Sequence, residues 1–165
     1  MAAKRLSLRE FQQGLIDRLQ AIGQSGERAS TLGVQIGEWH WLVEMSDISE
    51  VLPVPAFTEV PLTKRWFWGV ANVRGNLYSL VDMDDFLLQN ETPREGNSRA
   101  LLVAARYGYS TALVVSRVMG LRNSHQWRRD ERDGQVSFTD EQGQVWRKLD
   151  MATLLGRPDF LQIEN

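Results

Sequence analysis

An internal repeat constrains this chain more than any other feature. Gly75-Asn76-Leu77-Tyr78-Ser79-Leu80-Val81-Asp82-Met83 aligns without a gap to Gly143-Gln144-Val145-Trp146-Arg147-Lys148-Leu149-Asp150-Met151, 68 residues downstream. Gly, Asp and Met are identical, and Leu/Val, Tyr/Trp and Val/Leu match in type. The continuation Phe86-Leu87 falls on Leu154-Leu155. A second match carries Val43-Glu44-Met45-Ser46-Asp47-Ile48 onto Leu113-Val114-Val115-Ser116-Arg117-Val118, at an offset of 70. Two matches at nearly one offset point to two similar β units. Each closes on a strand, an Asp and a short helix, and the Asp carboxylate stands where it can cap that helix.

From residue 32 onward, short apolar-rich runs alternate with Gly, Pro, Asn and Asp. They are Leu32–Ile36, His40–Met45, Trp66–Val70, Asn76–Asp82, Ala100–Tyr107, Thr111–Val115, Gln135–Thr139 and Gln144–Leu149. Such spacing predicts small barrels or sandwiches rather than a parallel α/β sheet. Short helices are expected at Met83–Leu88 and Met151–Leu155. The polar stretch Asn90–Ser98 reads as a linker between the two halves, and Val51–Val60, bracketed by prolines, as an irregular connection. Ahead of all this, Ser7-Leu8-Arg9-Glu10 forms a capping box. Leu8, Phe11, Leu15, Leu19 and Ile22 then trace one stripe of a helix at about 8–22. The expected organisation is a helix and loop over residues 1–31, a domain over 32–157 with halves at about 32–90 and 98–157, and a tail over 158–165.

The sequence carries no recognisable catalytic constellation. The chain has no Cys and only two His, His40 and His125, which removes disulfides, thiolate metal sites and a cysteine nucleophile. No phosphate-loop, dinucleotide or zinc-protease spacing occurs. Asp82, Asp84 and Asp85 lack the spacing of a calcium loop and read as the capped, solvated start of a helix. Nineteen basic residues against 21 acidic ones leave a net charge of −2, which argues against a dedicated nucleic-acid binder. No signal peptide, lipidation pattern or long apolar span is visible, so the chain reads as a soluble, cytoplasmic protein without direct membrane insertion. Trp66-Phe67-Trp68 places large rings on both faces of a strand. Either both faces are buried between packed barrels, or one ring is left to anchor a partner. The mixed-sign run Arg122–Gly134 reads as a solvated loop.

The stretch Ser46-Asp47-Ile48-Ser49-Glu50-Val51-Leu52, then Val60-Pro61, then Gly69-Val70-Ala71-Asn72-Val73-Arg74-Gly75 and the strand closing on Val81-Asp82-Met83 resembles the CheW family of chemotaxis coupling proteins. That family shows V-x-E-I, a Pro eight residues before a Gly, G-V-x-N-x-R-G, and a strand ending V-D-L. The resemblance covers about residues 32–157. The N-terminal extension and the Trp content look most like the CheW-like proteins of type IV pilus chemosensory systems.

The resemblance implies a mainly β fold of two intertwined, five-stranded SH3-like barrels, to which the sequence adds the N-terminal helix and short connecting helices read above. It implies an adaptor with no catalytic residues, no metal and no cofactor. Its partners would be the regulatory domain of a CheA-type histidine kinase and the cytoplasmic tip of a methyl-accepting chemoreceptor, in a system controlling twitching motility. Residue by residue, Arg74, Ile48 and Glu50 match positions on the receptor side. Gly69, Val70 and Asn72 match the turn toward the kinase. The chain departs from the pattern at Lys64, at Tyr78-Ser79 and at Ser116-Arg117, which bears most on contacts of the second half. A different reading, a small-molecule or nucleic-acid-binding β-barrel, would need a basic, aromatic groove, and the near-neutral charge speaks against it.

Overall fold

A computed structural model describes residues 31–90, 92 and 96–164 of the chain. The expected helix at 8–22 lies outside the described residues. The strands are β1 (Thr31–Ile36), β2 (Trp39–Glu44), β3 (Ile48–Pro53), β4 (Phe67–Val73), β5 (Asn76–Asp82), β6 (Arg99–Val103), β7 (Thr111–Val115), β8 (Arg117–Arg122), β9 (Arg128–Arg132), β10 (Gln135–Thr139) and β11 (Val145–Lys148). Three short helices are α1 (Met83–Leu88), α2 (Met151–Leu155) and α3 (Pro158–Leu161). Two sheets form, ordered β8-β1-β2-β11-β10-β9 and β3-β6-β7-β5-β4.

The repeat is the key to this topology. Laid side by side, β8-β1-β2-β11-β10 corresponds strand for strand to β3-β6-β7-β5-β4, with β9 an addition at one edge. The correspondence extends to strand direction. β11 runs parallel to β2 as β5 runs parallel to β7, and the remaining pairs are antiparallel. Neither sheet is built from one half of the chain. The chain leaves the first sheet between β2 and β3 and returns to it between β7 and β8, the two places joined by the second sequence match. The intertwining is therefore a consequence of the duplicated crossing.

Continuous apolar runs become strands buried on both faces. In β5, β6 and β7 successive residues point opposite ways and enter different cores. Val81, Leu101 and Leu113 join Leu32, Val34, Ile36, Trp41 and Val43 of the first sheet in the core between the sheets. Their neighbours Leu80, Leu102 and Val114 pack with Trp68, Ala71 and Val73 in the hollow of the second sheet. Trp66-Phe67-Trp68 follows the same rule. Phe67 and Trp68 are buried, and Trp66 stacks on Phe160 of α3 with ring centroids 6.1 Å apart. Both faces of that run are thus packed. Phe160 itself is buried in the shared core.

The hollow of the first sheet is more polar. Trp146 is buried there, its Nε1 donating to Asp140 Oδ2 at 3.0 Å. His40 meets it edge-on at 4.9 Å, Trp127 lies 5.8 Å away, and the Arg122 guanidinium sits 5.4 Å above its ring. A Cβ on Gly33 would fall 2.9 Å from both Trp146 and Arg122, so only glycine leaves room for this stack.

Three expectations need correction or refinement. Val51–Val60 is not irregular throughout: residues to Pro53 belong to β3. β3 is an edge strand, where a proline costs no ladder bond. The expected linker at Asn90–Ser98 is tied to the fold at Thr92, which is buried and bonded to Asp82. The run Arg122–Gly134 contains β9, which pairs with β10 through the tight turn Asp133-Gly134. Both turn residues have positive φ, 51° and 79°, the geometry that closes a two-residue hairpin.

Candidate interaction site

The β4–β5 hairpin turns on Arg74-Gly75, with φ of 52° and 87°. Glycine accepts this left-handed pair freely, whereas an arginine there costs about 1 kcal/mol. Asn72 Oδ1 steadies the turn by accepting from Gly75 N at 2.8 Å. The turn aims Arg74 across the hollow at Glu50 on β3. One guanidinium nitrogen donates to Glu50 Oε2 at 2.5 Å, and the second donates to Oε1. Because β3 and β4 are opposite edges of the second sheet, this fork-to-fork pair places the two edges within side-chain reach of each other. The bond and the opposite charge hold the Glu50 carboxyl below its usual value and raise Arg74 above its own. The Arg74 side chain remains 71% exposed. Solvent screens a pair so placed, and its contribution to stability is small.

The structure brings some of the sequence-singled residues together and separates others. Glu50 and Arg74 meet; Asn72 is exposed beside them. Ile48 is buried, with 8% exposure, in the core between the sheets. Gly69 is also buried, at φ 144°, and a Cβ there would lie 2.1 Å from the Thr58 carbonyl oxygen. Thr58 and Val70 exchange backbone bonds of 2.8 and 2.9 Å, so Gly69 lets the proline-rich segment close onto β4. Val70 is half-buried.

Two contributors escaped the sequence reading. Leu77, opposite Asn72 on β5, is 62% exposed and adds an apolar element to the hairpin surface. Asp47, buried at the crossing from β2 to β3, accepts from Arg106 at 2.5 Å and from the Tyr107 hydroxyl. Accepting that bond, the Asp47 carboxylate pushes the Tyr107 hydroxyl above its usual value. This network fixes the turn that delivers Ile48 and Glu50. Nothing in the local sequence signals it, since its partners lie about 60 residues apart.

The acidic cluster behaves as a cap, but a buried one. Asp82 Oδ1 accepts from Asp84 N at 3.1 Å and Asp85 N at 3.5 Å. Asp84 and Asp85 are each only 5% exposed, so the expected solvated helix start is not observed. Asp85 is paired with Arg65 at 2.5 Å. Among the described residues, no group of three or more His, Asp or Glu side chains converges as a metal site. Among them, too, no helix is long and apolar enough to cross a membrane.

Comparison with known proteins agrees with this architecture. The CheW-like domain family model matches residues 30–159. Protein PilI of Pseudomonas aeruginosa is 33% identical over 94 residues, a match covering 57% of this chain and 52% of PilI. The chain thus spans about half the length of that relative. The crystal structure of the scaffolding protein TtCheW from Thermoanaerobacter tengcongensis superposes with a TM-score of 0.69, covering 84% of this chain and 99% of TtCheW at 14% identity. That likeness establishes the shared fold. With the family model spanning most of the chain and the duplicated, intertwined sheets accounting for the match, the protein belongs to the CheW-like domain family.

Proposed function

We propose that this chain is a non-enzymatic adaptor that couples chemoreceptors to a CheA-type histidine kinase, in the cytoplasmic array of a pilus chemosensory system. The observation that carries the reading is the exposed Arg74–Glu50 pair. A charged fork is held in left-handed backbone at the edge of a sheet, beside exposed Asn72 and Leu77, where it adds little to stability. Strain kept at the surface points to a binding role. The likeness to PilI supports the assignment to twitching motility.

On this reading, Arg74 and Glu50 meet the receptor tip. The guanidinium fork suits carboxylates and carbonyls of a helical hairpin, and each partner exchange replaces one ion pair with another. Ile48 acts from beneath, setting the position of β3. Val70 and Asn72 offer the kinase-facing surface, and Gly69 shapes it through its approach to Thr58. Simultaneous binding holds receptor and kinase in one lattice, so a small receptor movement biases the kinase, and several weak contacts add up through tethering.

The test is a calorimetric titration of the purified chain against the kinase regulatory domain and, separately, a receptor-tip fragment. Arg74→Glu should abolish receptor binding and spare the kinase; Val70→Arg should do the reverse. Folded wild-type protein that binds neither partner would refute the assignment.

A further inference from the structure

The addition of β9 gives the first sheet an extension that its pseudo-symmetric counterpart lacks. One face of β9, β10 and β11 forms an open groove of about 570 Å3, whose lining includes Arg128, Arg132 and Arg147, the acidic Asp130 and Asp133, and Val145. Trp39 borders it. Val145 precedes Trp146 as Trp39 precedes His40, and Trp146 and His40 are register partners, so Trp39 and Val145 stand in one row. They are 44% and 46% exposed.

The Arg147 guanidinium lies 3.9 Å above the Trp39 ring. Stacking holds the fork flat and leaves its N–H donors free in the plane. Asp130 is engaged by Arg132 at 3.0 Å. Among the described residues, Arg128 and Arg147 have no acidic partner. In a chain with a net charge of −2, this face carries three arginines against two aspartates.

We infer that this groove is a docking surface for an acidic segment of a partner protein, one that places an apolar side chain on Trp39 and Val145 and carboxylates on Arg147 and Arg128. Trp and Arg together are the residues that most often anchor interfaces. Arg147 faces Ser137 on β10 and Arg128 faces Thr139, two strand spacings across and two residues along, so the two carboxylates would be about 12 Å apart, close to the span of four residues in extended chain, a spacing that also keeps both on one face. A second copy of this chain is a poor occupant, since two-fold pairing would bring a face with an excess of arginines against itself. The mixed charges of β9 likewise discourage edge pairing with another copy.

The experiment uses the full chain labelled with nitrogen-15, and follows the Trp39 indole N–H. The probe is an octapeptide with two aspartates four residues apart and leucine midway between them. It should shift that resonance saturably. Affinity should fall at least tenfold in Arg147→Glu, and equally when the peptide aspartates are replaced by asparagine. It should be unchanged in Arg117→Glu, on β8 at the far edge of the sheet. No saturable shift, equal affinity in Arg147→Glu, or equal binding of a single-stranded oligonucleotide would overturn the assignment.

Discussion

The repeat supplies its own controlled experiment. Asp82 and Asp150 occupy equivalent positions, and each caps the helix that follows. Their surroundings differ. Asp150 is exposed and accepts one bond, from Thr153 N at 3.1 Å. Asp82 is fully buried and accepts from Asp84 N and Asp85 N, and also from Thr92 N at 2.9 Å and Thr92 Oγ1 at 2.5 Å. Asp150→Ala removes a cap, worth about 1 kcal/mol. Asp82→Ala removes a cap and also leaves the buried Thr92 N–H and hydroxyl without an acceptor, a further loss of about 1–3 kcal/mol. Burial pushes the Asp82 carboxyl above its ordinary value in spite of these donors, so relief of that desolvation cost keeps the total near the lower end. The expected losses are about 1 kcal/mol for Asp150→Ala and about 2 kcal/mol for Asp82→Ala. Urea unfolding followed by tryptophan fluorescence measures both. Equal losses would refute the argument that Thr92 ties the inter-half segment to the fold through Asp82.

Two further outcomes follow from local geometry. Gly69→Ala drives a Cβ toward the Thr58 carbonyl, breaks the Thr58–Val70 bridge and should lower Tm by roughly 10 °C; an unchanged Tm would show that the proline-rich segment yields freely. Asp84 is buried with Oδ1 unpartnered, and burial first, then Asp82 and Asp85, raises its carboxyl above the ordinary value. The folded protein therefore carries a penalty that is complete above this raised value and absent below the ordinary one. Asp84→Asn should be more stable than wild type at pH 7 by about 1 kcal/mol, and the difference should shrink as pH falls. A variant less stable than wild type at pH 7 in chemical denaturation would contradict this.

How much of this was legible follows from where each signal lives. Gly75–Met83 and Gly143–Met151 each encode a turn, a strand and a cap locally, and each appears as read. The glycines have φ of 87° and 81°, and the strands end on capping aspartates. Strands at the sheet edges were harder. β3 contains Pro53, β8 is bounded by arginines and carries Gly120 next to the register shift against β1, and the β9 residues are all exposed, so their existence rests on pairing partners elsewhere in the chain. Asp133-Gly134 was a usable hairpin signal hidden in a charged run. Site geometry was less legible. Arg74 and Glu50 were singled out by resemblance, but their ion pair depends on the two edges of the second sheet coming within side-chain reach. Ile48 and Gly69 carry motif positions yet lie buried, and a motif read from sequence does not distinguish a residue that touches a partner from one that shapes the surface beneath it.

The most direct test of the adaptor account is the autophosphorylation rate of a CheA-type kinase, measured with a chemoreceptor in membranes, with and without the chain. The account predicts that receptor signalling state changes the rate only when the chain is present, and that Arg74→Glu, folded as wild type, removes the effect. A rate indifferent to the chain, or receptor control that persists without it, would contradict the account.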